Sequence, residues 1–342
     1  MADIVLGIGC AHAPQLHTPV EEWEHHAQRD TEDAEPFWYK GERVKYADLL
    51  EQRGEQNLNE QLDSLICNER IAKSYEAIEG ISEIFAEAQV DVVIIFGNDQ
   101  GEMFLDDLRP AFSIMGCEQF ENMPRTVEQT KRLPPDIHIA DKGHLPDKEL
   151  QVFPGHPVLA RYLVEQAMTH DFDVTYSHRQ HRADPAYAHT SGMPHAYGFI
   201  YKQIFGDQAV PHVPIDINTF FPPNQPDAKR CYALGSMIGK AVRIWDTDAR
   251  VAIIASGGLS QPVVDETFDR DIIKAMESGD LKYLLSYHEG YYQSRSSEIK
   301  SWIAMNGALR GSYLKGHLVD YQALYRTPAG TGSSAAFMYW QL

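Results

Sequence analysis

The most informative stretch of the sequence is VDVVIIFGNDQG, which runs from Val90 to Gly101. From Val90 to Phe96 it is an almost unbroken run of β-branched and aromatic residues, and this predicts a strand that is buried on both faces. A glycine and three polar residues follow, so the strand is expected to end in a polar turn. A strand of this kind belongs inside a sheet that helices cover.

Similar short apolar runs elsewhere predict further strands. They are Ile4–Ile8, Ala111–Met115, Phe172–Tyr176, Val210–Ile217 and Val251–Ala255. Longer segments with helical spacing alternate with them: Leu62–Ala88, His156–His170, Asp227–Trp245 and Asp265–Met276. The alternation predicts an α/β fold with a mixed or mostly parallel central sheet flanked by helices. Because ligands of such folds gather at the carboxyl ends of strands, a site is expected just after Ile8, Phe96 and Ala255.

Two segments interrupt this alternation. Residues 19–53 are polar, acidic and rich in aromatic side chains, and we interpret residues from about 19 to 60 as an N-terminal insertion that covers a site or forms an oligomer contact. Residues 121–148 are rich in Pro, Asp and Lys and are interpreted as a surface loop. No internal repeat or low-complexity tract divides the chain, so residues 1–342 are expected to form a single domain.

Composition limits the partners of the chain. Its 342 residues include 30 Lys+Arg against 49 Asp+Glu, which gives a formal net charge of -19. A surface this acidic repels phosphate groups, so nucleic acids and anionic membranes are excluded as partners. The four cysteines are scattered, no basic region precedes a hydrophobic run at the N-terminus, and no apolar stretch approaches the length of a membrane span. These features predict a cytoplasmic protein.

Several polar residues that could carry chemistry follow the predicted strands. His12 lies on a loop of small residues after the first strand, and Gln100 lies in the polar turn after Phe96. Gln261 follows a Gly-Gly pair, which allows a backbone to approach a ligand closely. An imidazole at a strand end can reach a metal ion or a substrate. Each feature also has an ordinary explanation as a loop or a turn, so none is decisive alone.

Three further candidates lie in the second half of the chain. His189 and His195 are close in sequence, and two histidines at this spacing are only a weak indication of metal binding. His195 is expected at a helix start, where the helix dipole favours a neutral imidazole or a bound anion. Glu298 is expected near the start of another helix, where an acidic side chain is favourable on electrostatic grounds alone.

The order of the motifs along the chain is more specific than any single motif. In sequence order they are His12, Asn98-Asp99, Gly155-His156-Pro157, His195, Arg230–Gly235, Gly257-Gly258-Leu259-Ser260, Ser297-Glu298-Ile299 with Trp302, and Tyr325–Gly332. This order resembles the class III extradiol ring-cleavage dioxygenases, the protocatechuate 4,5-dioxygenase β-subunit-like superfamily, over nearly the whole chain. The resemblance looks closest to the branch that includes 3-O-methylgallate dioxygenase.

The resemblance implies a non-haem iron enzyme that opens the ring of a substituted catechol, including lignin-derived and methoxylated ones. In this family two histidines and one glutamate hold Fe(II) and leave positions open for the diol and for dioxygen. His12 and Glu298 match two of these ligands. Gln100 stands where better-known members have the second ligand histidine, and it is the candidate for the third position.

The resemblance also implies an acid/base residue, and here the chain departs again. Gln261 stands where better-known members have the acid/base histidine, and an amide does not titrate near neutral pH. His195 matches an active-site histidine that contacts substrate, and it is the first candidate to replace the missing base, with His189 second. Gln261 could still orient a substrate hydroxyl by hydrogen bonding.

The two glutamines leave alternatives open. One is a family member with changed chemistry, such as a metal-dependent hydrolase, decarboxylase or lyase acting on a phenolic acid. Another is a binding subunit with a degenerate site. The implied partners are a small aromatic diol and dioxygen, and a homodimer is the default expectation. Arg43, Arg53 and Arg109 are candidates to hold a substrate carboxylate, although a surface ion pair is the commoner fate of each.

Overall fold

The structure, a computed structural model, describes residues 1–133, 135–180, 193–206 and 208–342, without the side chains of residues 135–137 and 281. The strands are β1 (Asp3–Cys10), β2 (Phe37–Tyr39), β3 (Glu42–Val44), β4 (Val92–Gly97), β5 (Phe112–Met115), β6 (Gln119–Asn122), β7 (Gln151–Pro154), β8 (Thr175–Ser177), β9 (His212–Ile217), β10 (Arg250–Ser256), β11 (Lys315–Tyr325) and β12 (Gly332–Gln341). The α-helices are α1 (Trp23–Glu32), α2 (Tyr46–Gln52), α3 (Ser64–Ala88), α4 (Val127–Arg132), α5 (Pro135–Ala140), α6 (Pro157–Thr169), α7 (His195–Phe199), α8 (Ala228–Ile244), α9 (Glu266–Ser278), α10 (Leu281–Leu284) and α11 (Ile299–Leu309).

The central sheet has eight strands in the order β11-β12-β1-β10-β4-β9-β5-β8. Strands β1, β10, β4 and β9 pair in parallel with one another. The β11–β12 hairpin joins β1 in antiparallel fashion, and β5 pairs antiparallel with β9. The predicted mixed, mostly parallel sheet flanked by helices is therefore confirmed. None of the helices in the described part of the chain combines the length and apolar character needed to cross a bilayer.

Strand β4 shows how the sequence makes this arrangement. All its residues are buried, and successive side chains point to opposite faces of the sheet. Ile94 and Phe96 pack into the layer that contains α6, α8, α9 and α11, whereas Val93 and Ile95 pack into the layer that contains α3 and α7. A run that is apolar at every position is needed because helices cover both faces.

One strand prediction was wrong in detail, and one hairpin of the sheet was missed. The segment predicted as a strand from Phe172 to Tyr176 is shifted, because Asp171 turns the chain with a positive φ of 60° and Phe172 packs into the core. Strand β8 is Thr175–Ser177 instead. The β11–β12 hairpin was not predicted at all.

The two interrupting segments contain regular structure. The N-terminal insertion contains α1, α2 and the β2–β3 hairpin. The interpretation of residues 121–148 as a surface loop was wrong, since they contain α4 and α5 and place Arg125, Asp141 and His144 in the wall of a cavity. Helix α4 begins there because Thr126 and Gln129 form a reciprocal capping box.

Candidate metal centre and catalytic cavity

A cavity of about 340 Å³ opens at the carboxyl ends of the parallel strands. We call the following residues of its lining the inner end: His12, Gln100, His195, Gln261 and Glu298. Its outer wall consists of His17, His26, Arg29, Arg125, Asp141, His144, Phe220, Phe221 and Arg295. The loops after β1, β4 and β10 supply three of the inner residues, as predicted from the topology. This volume suits one small aromatic molecule.

His12 follows β1, and its ring is held by a residue of the neighbouring strand β10. Its Nδ1 atom lies 2.9 Å from the Ser256 hydroxyl at the end of β10. Its Nε2 atom is buried and lies 3.3 Å from Oε2 of Glu298, but it has no hydrogen-bond partner among the described residues. The ring is therefore fixed through one nitrogen and presents the other to the cavity.

Glu298 reaches the same point from the other end of the chain. It ends a 3-10 turn, Ser294–Glu298, and is the N-cap of α11, which confirms the expected helix start. The buried indole of Trp302 donates to the Gly257 carbonyl at 2.8 Å and packs directly on Gly9, where a Cβ atom would overlap its ring. This contact seats α11 against β1 and β10 and so places the Glu298 carboxylate beside His12.

The Glu298 carboxylate accepts three hydrogen bonds. The Gly258 amide donates to Oε2 at 2.7 Å, Gln261 Nε2 donates to Oε2 at 2.8 Å, and Gln100 Nε2 donates to Oε1 at 2.8 Å. Burial raises the pKa of this carboxyl, but His12, His195 and the Gly258 amide outweigh it and hold the pKa below its ordinary value. The group is therefore an anion at neutral pH and is oriented by three donors.

His195 is the first residue of α7, as predicted. Its Nδ1 atom lies 2.7 Å from Oε2 of Glu102, and its backbone amide donates to Oε1 of the same carboxylate at 2.9 Å. Burial lowers the pKa of His195, but the charge and hydrogen bond of Glu102 outweigh it and raise the pKa to about 9. The same pair lowers the pKa of Glu102 to about 2 despite its burial.

His12, His195 and Glu298 form a compact group that could hold a metal ion. One ligand atom from each lies within 4.8 Å of the other two, and the rings of His12 and His195 meet edge to face with centroids 4.5 Å apart. Each histidine has its Nδ1 fixed by an outer partner, Ser256 or Glu102, so Nε2 faces the metal position, and a bound ion would displace the Nε2 proton of His195. The buried Nε2 of His12, which forms no hydrogen bond within the described residues, suits a metal ligand. Two imidazoles and one carboxylate form the ligand set of non-haem Fe(II) oxygenases.

Sequence reasoning missed Glu102, although it lies only two residues beyond Gln100. The signal that could have identified Glu102 was the polar turn after β4, in which Asp99 organises the backbone. The Asp99 side chain accepts hydrogen bonds from the backbone amides of Gly101, Glu102, Met103 and Phe104 at 2.7–3.1 Å. This organised turn brings Gln100 and Glu102 into the cavity on either side of a tight bend.

The outer-wall histidines were also missed. Burial is the main cause that lowers the pKa of His17 and of His26, each to about 3, and it lowers the pKa of His144 as well. These three rings are therefore neutral at pH 7. His17 Nδ1 is 2.9 Å from the Tyr75 hydroxyl, and the His144 ring lies 6.0 Å from that of His195.

Several predicted residues lie elsewhere. His189 is outside the described residues. Arg43 pairs with Glu35 and does not line this cavity. Arg53 is buried against the carbonyls of Val264, Ala329 and Gly330 and has a structural role.

Arg109 is also absent from the cavity wall, since it pairs with Asp106 and covers the Phe221 ring at 3.5 Å. His156, in the Gly-His-Pro motif, caps α6 by accepting from the Leu159 amide at 3.0 Å.

Comparison with known proteins identifies the family. The sequence pattern described as "Catalytic LigB subunit of aromatic ring-opening dioxygenase" matches residues 63–338. The chain belongs to this family, which confirms the superfamily recognised from the order of the motifs, and the branch that includes 3-O-methylgallate dioxygenase stays a prediction. The matched region holds His195 and Glu298, and His12 lies before it.

Individual relatives are distant. Gallate dioxygenase of Pseudomonas putida is 25% identical over 199 residues, which are 54% of this chain and 54% of that protein. The match thus spans about half the length of the relative. Among solved structures, an uncharacterized protein of Escherichia coli K12 covers 76% of this chain and 91% of its own, with a TM-score of 0.45 and 14% identity.

Proposed function

We propose that this family member is an Fe(II)-dependent extradiol dioxygenase that opens the ring of a substituted catechol, including lignin-derived, methoxylated ones. The observation that carries the proposal is the convergence of His12, His195 and Glu298 at the inner end of the cavity. The family match and the likeness to a gallate dioxygenase support ring opening of a small aromatic substrate.

The proposed roles follow from the contacts. A bound iron would supply the open coordination positions at which diol and dioxygen meet. His12 and Glu298 hold the ion, and His195 is the third ligand, because Glu102 fixes its Nδ1 as outer carboxylates do for metal-bound imidazoles. Gln100 and Gln261 orient the Glu298 carboxylate, and the rings of Phe199, Phe220 and Phe221 give the aromatic substrate an apolar wall.

Activity is tested by loading the protein with Fe(II) without oxygen, adding a panel of catechols and then admitting air. We expect oxygen uptake with a yellow ring-opened product, and we expect neither from His12→Ala. His170→Ala, in which an exposed histidine is removed, is the matched control. An iron-loaded protein that consumes no oxygen with any catechol would overturn the proposal.

The third ligand is tested separately by iron content and by chelator competition. The alternative to His195 is Gln100, in which case His195 would contact the substrate and accept its proton. His195→Gln should lower iron affinity by more than about 100-fold if His195 is a ligand, since loss of an outer partner alone costs about 10–100-fold. Gln100→Leu should then lower it by less. The reverse order would assign the third position to Gln100.

A non-oxidative reaction on a phenolic acid is the second candidate, and Gln261 is the observation that favours it. Its amide donates to Glu298, so no titrating group occupies this position. Gain of water or loss of CO2, without incorporation of labelled oxygen from O2, would identify this chemistry. In a dioxygenase, Gln261→His should instead raise kcat by up to about 100-fold, the lower limit of a general-base contribution.

A further inference from the structure

Another cavity lies away from the candidate metal centre, and we call it the distal cavity. Its volume is about 430 Å³, and it shares no lining residue with the catalytic cavity. It is formed by the end of α9, the end of α11, the turn that leads into β11, and Trp340 of β12. Because β12 runs antiparallel to β1, Trp340 lies toward the amino end of β1, whereas His12 follows its carboxyl end.

Two buried side chains line the distal cavity with polar groups that are not hydrogen-bonded. Trp340 is 3% exposed and Asn306 is 9% exposed. Within the described residues, neither the indole Nε1 of Trp340 nor the side-chain amide of Asn306 forms a hydrogen bond. Gly316 lies against the indole, and a Cβ atom there would come within 2.6 Å of Nε1. Since buried polar groups are nearly always hydrogen-bonded, these two indicate a binding site.

Two cations in the lining add positive charge. Within the described part of the chain, Arg310 donates to the Tyr232 hydroxyl at 3.3 Å, and neither Arg310 nor Lys315 forms an ion pair. The carboxylate of Glu277, which also lines the cavity, accepts from the Leu318 amide at 3.2 Å instead. Both cations are exposed to water, so neither needs a partner for its own stability. Together they attract an anion to this place on a chain whose formal net charge is -19.

The lining defines the chemistry of the ligand. An indole N–H can only donate a hydrogen bond, and an ionised carboxylate can only accept one. A guanidinium holds a carboxylate through two parallel hydrogen bonds. Met276, Leu309 and Leu314 supply apolar surface, which suits the carbon chain of an organic acid better than a bare inorganic anion.

We infer that the distal cavity binds a small organic acid, whose carboxylate is held by Arg310, the Trp340 indole and the Asn306 amide. Asn306 lies about 12 Å beyond Glu298 along α11, given a rise of about 1.5 Å per residue. The ligand therefore occupies a site of its own and does not take part in the proposed reaction. The inference holds or fails independently of the dioxygenase proposal, because acid binding is measured without metal or dioxygen.

The test follows the indole N–H signals by NMR in metal-free protein that contains isotope-labelled tryptophan. The chain has 5 tryptophans, and Trp340→Phe identifies the signal of Trp340. Succinate should shift this signal, since the indole gains a hydrogen bond. Dimethyl succinate, which lacks the charge, should need a concentration at least about tenfold higher. The signal of Trp38 should stay in place, because Trp38 lies in the outer cavity, a space of about 660 Å³ that adjoins the catalytic cavity at Phe220.

Variants assign the contacts. Arg310→Met should weaken succinate binding about tenfold or more, the effect of one charged hydrogen bond, and the exposed position of Arg310 makes unfolding of this variant unlikely to interfere. Asn306→Ala removes a neutral hydrogen bond and should weaken binding about threefold. Arg161→Met is the matched control, since it removes the same charge from an exposed position on α6, where Arg161 pairs with Glu165. Its succinate affinity should equal that of wild type.

Three results would overturn the inference. The first is a Trp340 signal that succinate does not move, or moves equally well in Arg310→Met. The second is a shift of the Trp38 signal alone, which would place the acid in the outer cavity. The third comes from inorganic phosphate as a second probe: if phosphate moves the Trp340 signal at lower concentration than succinate does, the assignment to an organic acid fails.

Discussion

The inner end and the outer wall of the cavity are built in different ways. Inner side chains follow directly from β1, β4 and β10 or begin α7 and α11, and their polar atoms are fixed by short hydrogen bonds, such as those that Gly258 and Gln261 give to Glu298. The outer wall comes from the 3-10 turn Pro14–His17, α1, residues 121–148 and the turns after β9 and before Glu298. A rigid sheet edge thus holds the candidate metal ligands, while the connecting segments determine what else fits.

The largest expected effect tests the inner end. Glu298→Gln keeps the shape of the side chain and removes its charge, so iron affinity should fall by more than about 100-fold, beyond the 10–100-fold typical of outer partners. Iron content after dialysis measures this. Glu128→Gln, at an exposed position on α4, is the control. If Glu298→Gln retains as much iron as wild type, Glu298 is not a ligand of the bound metal.

A smaller effect on iron affinity is expected from substitution of Glu102, which holds His195. Glu102→Gln weakens the hold on Nδ1 of His195, and iron affinity should fall by about 10–100-fold, as for other partners of metal-bound histidines. Competition with a chelator of known affinity gives the value. Unchanged affinity would show that His195 is not a ligand.

The loss of folding stability at acid pH tests whether His17, in the outer wall, is buried in its neutral form. The folded-state pKa of His17 is about 3 because the ring is buried, whereas an unfolded chain has the ordinary value near 6.5. The unfolded state therefore binds more protons below pH 6.5, and stability falls as the pH is lowered from there toward 3. Between pH 6.5 and 5 this linkage costs about 2 kcal/mol.

Urea unfolding at the two pH values measures this cost. His17→Gln should lose about 2 kcal/mol less than wild type over this interval, and His170→Gln, at an exposed position, should behave as wild type. Equal losses in wild type and His17→Gln would mean that His17 is not buried in its neutral form.

The smallest expected effect concerns substrate packing at the outer wall. Phe220→Ala removes an aromatic surface that the catalytic and outer cavities share. We expect KM to rise roughly fivefold with kcat little changed, since loss of apolar contact weakens binding of substrate and transition state alike. Val158→Ala, at an exposed position on α6, is the control. A large fall in kcat would mean that the wall also positions the reacting groups.

Much of the fold could be predicted because its signal is local. The runs that became β1, β4 and β10 are apolar enough to be recognised without knowledge of their neighbours, and α3 and α8 show clear helical spacing. The β11–β12 hairpin was missed because its pairing depends on β1, from the opposite end of the chain. The shift of β8 was missed because a turn at Asp171 decided it.

The candidate site divides in the same way. The sequence by itself determined that polar residues follow the buried strands, and the motif order predicted that His12, His195 and Glu298 belong to one site. Only the tertiary structure decided that Glu102 fixes His195 and that two glutamines hold the Glu298 carboxylate. The reason is physical. Strand and helix formation depend on neighbours along the chain, whereas the partner of a charged side chain is set by which distant segments pack against it.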